Sequence, residues 1–156
     1  VMNLFDHTRE GLASYLQARG IWPGHAATLF RSAYRFLEVD PLALKSLPRG
    51  ISEVLVAHRQ LPQVVAVSSS PFDGSRKLLL EYDDGARVEA VLMPESTRIT
   101  LCISSQVGCA QACGFCSTGR LGLKRQMSMS EIVAQVVSAE LWIKENQEWN
   151  YPRGSG

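Results

Sequence analysis

The chain has 156 residues, of which 46% are apolar and 20% charged, and its formal net charge is +1. That balance supplies enough apolar material for a core, excludes a low-complexity polymer, and provides no global charge to draw the chain to nucleic acid or a membrane surface. No apolar run approaches the ~20 residues of a spanning helix, and the opening VMNLFDHTRE lacks a signal-peptide core, so the expected location is the cytoplasm with no membrane partner.

Residues 1–62 read as a small helical bundle. TREGLASYLQARG places Leu12, Tyr15 and Leu16 on one face and stops at Gly20, a good C-terminal cap. HAATLFRSAYRFLEV repeats the helical period through Leu29, Phe30, Ala33, Phe36 and Leu37. Asp40-Pro41 supplies an N-cap and a first-turn proline for a short helix that Pro48 ends, and ISEVLVAHR adds a turn or two before Pro62.

Residues 63–96 change to a period of two. QVVAVS, KLLLEY and ARVEAVLM read as strands, the last two joined by a hairpin turn at Asp84-Gly85. In the third, Val88, Ala90 and Leu92 share one face, and Arg87, Glu89, Val91 and Met93 the other. Pro94 closes it.

Residues 97–156 begin with a fourth strand, RITLCISS, which alternates Ile99, Leu101 and Ile103 against Thr100, Cys102 and Ser104. A loop rich in cysteine follows. SMSEIVAQVVSAELWIKEN is then a helix, with Ser128 and Glu131 at capping-box spacing and a stripe through Ile132, Val136, Ala139 and Ile143. The tail WNYPRGSG has turn and linker chemistry. The order is strand, cysteine loop, helix, within an α/β chain.

The loop carries the chemistry. All four cysteines of the chain lie in CISSQVGCAQACGFCSTG, and Cys109, Cys113 and Cys116 have the spacing C-x3-C-x2-C. Three thiolates on one loop can hold three corners of a 4Fe–4S cubane and leave the fourth iron open to a small molecule. Gly108 and Gly114 would let the backbone curl around so bulky a group, and Phe115 would give it apolar cover. With Cys102 added, four thiolates also satisfy a closed zinc site, although structural zinc usually draws its ligands in pairs from two hairpins. Free thiols and disulfides stand as further readings, disfavoured by a reducing cytoplasm. His7, His25 and His58 all fall in the helical part, away from the loop.

The segment VEAVLMPESTRITLCISSQVGCAQACGFCSTGRLGLKRQMSMSEIVAQV closely matches the pattern CxSSQVGCxxxCxFCxTGxxGxxRxxxxxEIxxQV. In this it resembles the RlmN/Cfr family of radical S-adenosylmethionine RNA adenine methyltransferases. The resemblance implies a helical accessory domain over 1–62, a β-hairpin segment over 63–96, and over 97–156 the first strand-loop-helix unit of an incomplete radical SAM (β/α) barrel.

It also implies cofactors, partners and roles. Cys109, Cys113 and Cys116 would ligate the 4Fe–4S cluster, whose open iron binds S-adenosylmethionine. A methyl group carried on a cysteine beyond this chain would be activated as a radical and added to an adenine carbon of 23S rRNA, and in many members of tRNA. Cys102 would match the thiol that resolves the protein–RNA adduct through a disulfide, and Glu89 the acceptor of the ring proton. By pattern alone Glu89 is a solvated strand carboxylate and Cys102 a small buried residue.

The further expectations are an electron donor, a monomeric state, and methylation at adenine carbon 2. The alternatives are methylation at carbon 8 or a truncated metal- or RNA-binding module without catalysis. The family's glycine-rich strand and methyl-carrying cysteine have no match here, so the chain reads as a fragment inactive by itself. Arg98, Arg120, Lys124 and Arg125, with no acid between Arg98 and Met127, give local support for RNA contact and read equally as a solvated basic turn.

Overall fold

The computed structural model describes residues 3–39, 47, 48, 51, 61–111, 113–147 and 149. The short helix expected after Asp40 and the turns expected in ISEVLVAHR lie almost wholly outside the described residues, as does the tail from residue 150. The chain divides into two compact units, Val1–Leu61 and Pro62–Gly156.

In the first unit, a 3-10 turn over Leu4–Asp6 precedes α1 (Arg9–Gln17) and α2 (His25–Arg35). Thr8 caps α1 by accepting the Gly11 N–H at 3.0 Å. Leu12 and Leu16, one turn apart, are fully buried, whereas Tyr15 is half-buried beneath the Arg19 guanidinium. Ala26, Leu29 and Ala33 form the buried stripe of α2. Phe36 and Leu37 do not extend it. The helix stops at Arg35, Leu37 takes a left-handed φ of 56°, and the Glu38 N–H turns back onto the Ser32 carbonyl at 2.9 Å.

The second unit opens with a four-stranded antiparallel sheet in sequence order, β1 (Gln63–Ser69), β2 (Arg76–Glu81), β3 (Arg87–Pro94) and β4 (Ile99–Cys102). The β2–β3 turn falls at Asp84-Gly85 as expected. Gly85 takes φ 77°, its N–H donates to the Tyr82 carbonyl at 2.8 Å, and the Asp84 carboxylate accepts the Ala86 N–H at 2.9 Å. The alternation in β3 is also as expected, with Val88, Ala90 and Leu92 buried and Arg87 and Glu89 exposed. β4 is shorter than the period suggested. It stops at Cys102 because the backbone of Ser104 is taken by the side chain of Gln135 instead of a neighbouring strand.

A second, two-stranded antiparallel sheet follows, β5 (Gln106–Gly108) with β6 (Leu123–Gln126), and a single-turn helix α3 (Ser117–Arg120) lies between them in sequence. The sequence showed none of these three as elements. All strand pairings among the described residues are antiparallel.

Helix α4 (Met129–Glu145) begins at the expected capping box, with the Ser128 hydroxyl accepting the Glu131 N–H at 3.2 Å and the Glu131 carboxylate accepting the Ser128 N–H at 2.7 Å. Its buried face differs from the expected stripe. Ala139 and Ile143 are buried, but Val136 is 40% exposed, and Ala134, Gln135, Val137 and Ser138 occupy the interior side. Leu78, Leu80, Val88, Ala90 and Leu92 from the sheet join Val107, Met127, Ala139, Ile143 and Trp149 in one core. Full burial of each large aliphatic side chain is worth about 1.5–3 kcal/mol.

Candidate metal centre

The cysteine loop is a closed hairpin. β5 leads into Cys109 and β6 leaves from Gly122, and at the neck the Cys109 N–H donates to the Gly122 carbonyl at 3.1 Å. Gly108 has φ 79°, and a Cβ there would stand 1.9 Å from the Gly122 carbonyl oxygen. Only glycine fits so close an approach. Gly114 carries no such demand, since a Cβ there would meet nothing within 4 Å.

Within the loop, the Cys116 N–H donates to the Cys113 carbonyl at 3.1 Å, and the Arg120 N–H to the Cys116 carbonyl at 3.1 Å. The Arg120 guanidinium folds back onto the Gly114 carbonyl through Nε and Nη2, each at 3.1 Å. Phe115 is 92% exposed and covers nothing among the described residues. Cys109, Cys113 and Cys116 are free thiols, each partly open to solvent.

This donor set fits a 4Fe–4S cluster: three unbridged thiols on one loop, accessible from outside. Among the described residues no three His, Cys, Asp or Glu side chains gather as a group for one metal ion. Cys109, Cys113 and Cys116 thus supply the donor type and number of a cluster without being drawn together around one in this structure.

Cys102 and Glu89 stand away from the loop, on the sheet. Cys102 lies opposite Val91 in the β3–β4 register, so it shares a face with Val91 and with Glu89 two residues back. On that geometry the two site residues are diagonal neighbours, roughly 7–8 Å apart. Both are exposed, which corrects the reading of Cys102 as a buried strand residue. The Glu89 carboxylate pairs with Lys77 Nζ at 2.9 Å. The Ser104 hydroxyl donates to the Glu89 carbonyl at 2.8 Å, joining this patch to the chain that enters the cysteine hairpin.

The four basic residues of this region are only partly free to meet a polyanion. Arg98 pairs with Glu95 at 2.9 Å. Arg125 sits between two acids, with Nη2 at 2.7 Å from both Asp84 Oδ2 and Glu131 Oε1, and Nη1 at 2.9 Å from Glu131 Oε2. The hydrogen bonds from Arg125 hold the Glu131 carboxyl below its ordinary range, and Arg125 is itself held more firmly protonated, chiefly by Glu131. Asp84 is lowered mainly by the Ala86 N–H. The Tyr82 phenol donates to the Glu131 carbonyl at 2.7 Å, and burial pushes its pKa up.

Sequence reasoning missed two of these roles. Gln135, which enters the sequence reading only within the quoted motif, is fully buried and bonded to the backbone. Arg125 looked like part of a basic turn, and its partner Asp84 is 41 residues away.

No protein-family model matches the chain. A solved structure of a radical SAM methyltransferase from Sphaerobacter thermophilus superimposes on it with a TM-score of 0.82, at 36% identity over 97% of this chain and 45% of that one. The chain is similar to part of a radical SAM methyltransferase. It spans under half the length of that structure. At 36% identity the likeness goes beyond fold and agrees with the class that the resemblance of the motif implies. Among the described residues no helix is long and apolar enough to cross a membrane.

Proposed function

We propose that this chain is the N-terminal portion of a radical SAM RNA adenine methyltransferase of the RlmN/Cfr type, and that its cysteine hairpin holds a 4Fe–4S cluster. One observation carries the reading: Cys109, Cys113 and Cys116 stand as free, accessible thiols on a loop whose neck is closed at Gly108 and Gly122. The likeness to a radical SAM methyltransferase supports it, and the RlmN/Cfr motif around the loop gives the narrower family.

Bound there, the cluster would supply one-electron reduction of S-adenosylmethionine, with electrons from an external donor. The chain's own residues bind and orient. Cys109, Cys113 and Cys116 hold the metal, and the neck presents them on a fixed base. Glu89 lies on the exposed sheet face, oriented by Lys77, and takes up the ring proton of the substrate adenine. Cys102 beside it would form a disulfide with the family's methyl-carrying cysteine, breaking that cysteine's C–S bond to the RNA adduct and leaving the bond's electron pair on the transferred carbon, which takes up a proton. Arg120 and Lys124, the two basic residues of this region outside the carboxylate pairs described, flank the loop as contacts for 23S rRNA or tRNA. The methylated position is adenine carbon 2, the commoner role of that family. The segment from residue 97 begins a (β/α) barrel, residues 1–62 are its accessory domain and 63–96 the joining strands, in a cytoplasmic monomer.

The test is anaerobic reconstitution of the chain with iron and sulfide. One 4Fe–4S cluster per chain is expected, with a broad absorption near roughly 400 nm typical of thiolate-ligated clusters. Alanine at Cys109, Cys113 or Cys116 abolishes it, while Cys102→Ala leaves it intact. A zinc site lost equally in all four variants overturns the proposal.

A further inference from the structure

We infer that one face of helix α4 is a double clamp on the cysteine hairpin: Gln135 pins the strand leading in, and Glu131, through Arg125, pins the strand leading out. The inference rests on the proposed function only for what the hairpin holds.

Gln135 is 0% exposed, and a buried amide needs its hydrogen bonds met. Its Oε1 accepts the Ser104 N–H at 2.9 Å, and its Nε2 donates to the Ser104 carbonyl at 2.7 Å, with the Met127 sulfur at 3.8 Å. Ser104 is thus held on both backbone groups, as a neighbouring strand would hold it. It lies midway along the chain from Cys102 to β5. A helical turn earlier and on the same face, Glu131 binds Arg125 through both carboxylate oxygens. Arg125 belongs to β6, opposite Val107 of β5, and its second partner Asp84 anchors it to the β2–β3 turn.

Between the two clamps the hairpin is closed by the Met127 N–H on the Ser105 carbonyl at 3.2 Å and by Gln106 Nε2 on Gln126 Oε1 at 3.1 Å. Phe115 and Leu121 are exposed, and the hydrogen bonds described within the loop join its own residues to one another. Ligand thiols must be presented to within about 0.5 Å. The strand base, fixed from one rigid helix, is where that precision originates. Gln135, Glu131 and Arg125 are therefore positioning residues.

The experiment compares the 156-residue chain with Gln135→Met, Arg125→Met, Arg125→Lys and, as a control on the exposed side of α4, Lys144→Met. Amide hydrogen exchange is read in the cluster-free chain, and the rate of iron loss to a chelator in the reconstituted one. Gln135→Met is expected to raise exchange at the Ser104 amide by about tenfold, the loss of a typical hydrogen bond, while amides of the β2–β3 hairpin keep their protection. Arg125→Met does the same for the β6 amides, and Arg125→Lys restores part of the protection, because a lysine keeps the charge without the bidentate fork. Iron loss accelerates in both methionine variants and not in Lys144→Met. Unchanged exchange at Ser104 and in β6 overturns the clamp. So does a uniform rise across the second unit, which would mark general destabilisation. Failure of the parent chain to take up a cluster would count against the proposed function alone, since the exchange data judge the clamp without metal.

Discussion

Gly108 and Gly122 approach so closely that a Cβ on Gly108 would stand 1.9 Å from the Gly122 carbonyl oxygen, while a Cβ on Gly122 would meet nothing within 4 Å. Both have positive φ, 79° and 65°. Gly108→Ala therefore incurs both backbone strain and a clash with main chain, and Gly122→Ala only the strain, about 1–2 kcal/mol. Thermal unfolding is expected to show a larger fall in Tm for Gly108→Ala, together with lost protection in β5 and β6. Equal falls would mean that the neck opens without cost.

The Arg125 cluster should make stability depend on acid. The folded pKa values of Glu131 and Asp84 lie below their ordinary values of 4.5 and 3.8. Folded, these carboxyls bind fewer protons than unfolded, so their contribution is complete above pH about 4.5 and fades as pH falls through the lowered folded values. Denaturant unfolding of the cluster-free chain between pH 7 and 3 should show this loss, and Arg125→Met should flatten the part owed to Glu131 while the part from Asp84, held chiefly by the Ala86 N–H, remains. An identical slope in the variant would remove Arg125 as the cause.

Glu89 and Lys77 form an exposed pair, each side chain 47% accessible, and such pairs contribute about 0.2–1 kcal/mol before screening by salt. Glu89→Gln is expected to change stability by no more than that and to leave cluster content unchanged. Thiol labelling of the cluster-free chain should modify Cys102 readily, since it too is exposed on that face. A large loss of cluster in Glu89→Gln would assign that carboxylate a different role.

Tyr82 tests the joint between hairpin and helix. Its hydroxyl reaches the Glu131 carbonyl 49 residues away, at 2.7 Å, while its ring is buried in the core. Tyr82→Phe keeps the ring and removes the hydrogen bond, for a cost of about 1 kcal/mol. Leu80→Ala, in the same strand pair and fully buried, should cost about 2–5 kcal/mol. Chemical denaturation that ranked the two the other way would show the sheet core to be looser than its packing indicates.

Features encoded within a few neighbouring residues are legible in the sequence. The Asp84-Gly85 turn, the alternation of Val88, Ala90 and Leu92 and the Ser128–Glu131 capping box follow from backbone geometry among near neighbours, and the spacing of Cys109, Cys113 and Cys116 is read off directly. Tertiary structure decided the rest. Whether Val136 or Val137 faces inward depends on where the sheet lies against the helix, and here Val137 is buried. Strands β5 and β6 are too short for a period to declare them, and they exist because Gly108 admits the close approach of the Gly122 carbonyl and helix α4 holds their base. Gln135 and Ser104 are 31 residues apart, and Arg125 and Asp84 are 41. Hydrogen bonds and ion pairs require contact within a few ångströms, and only the folded chain brings residues so distant in sequence together.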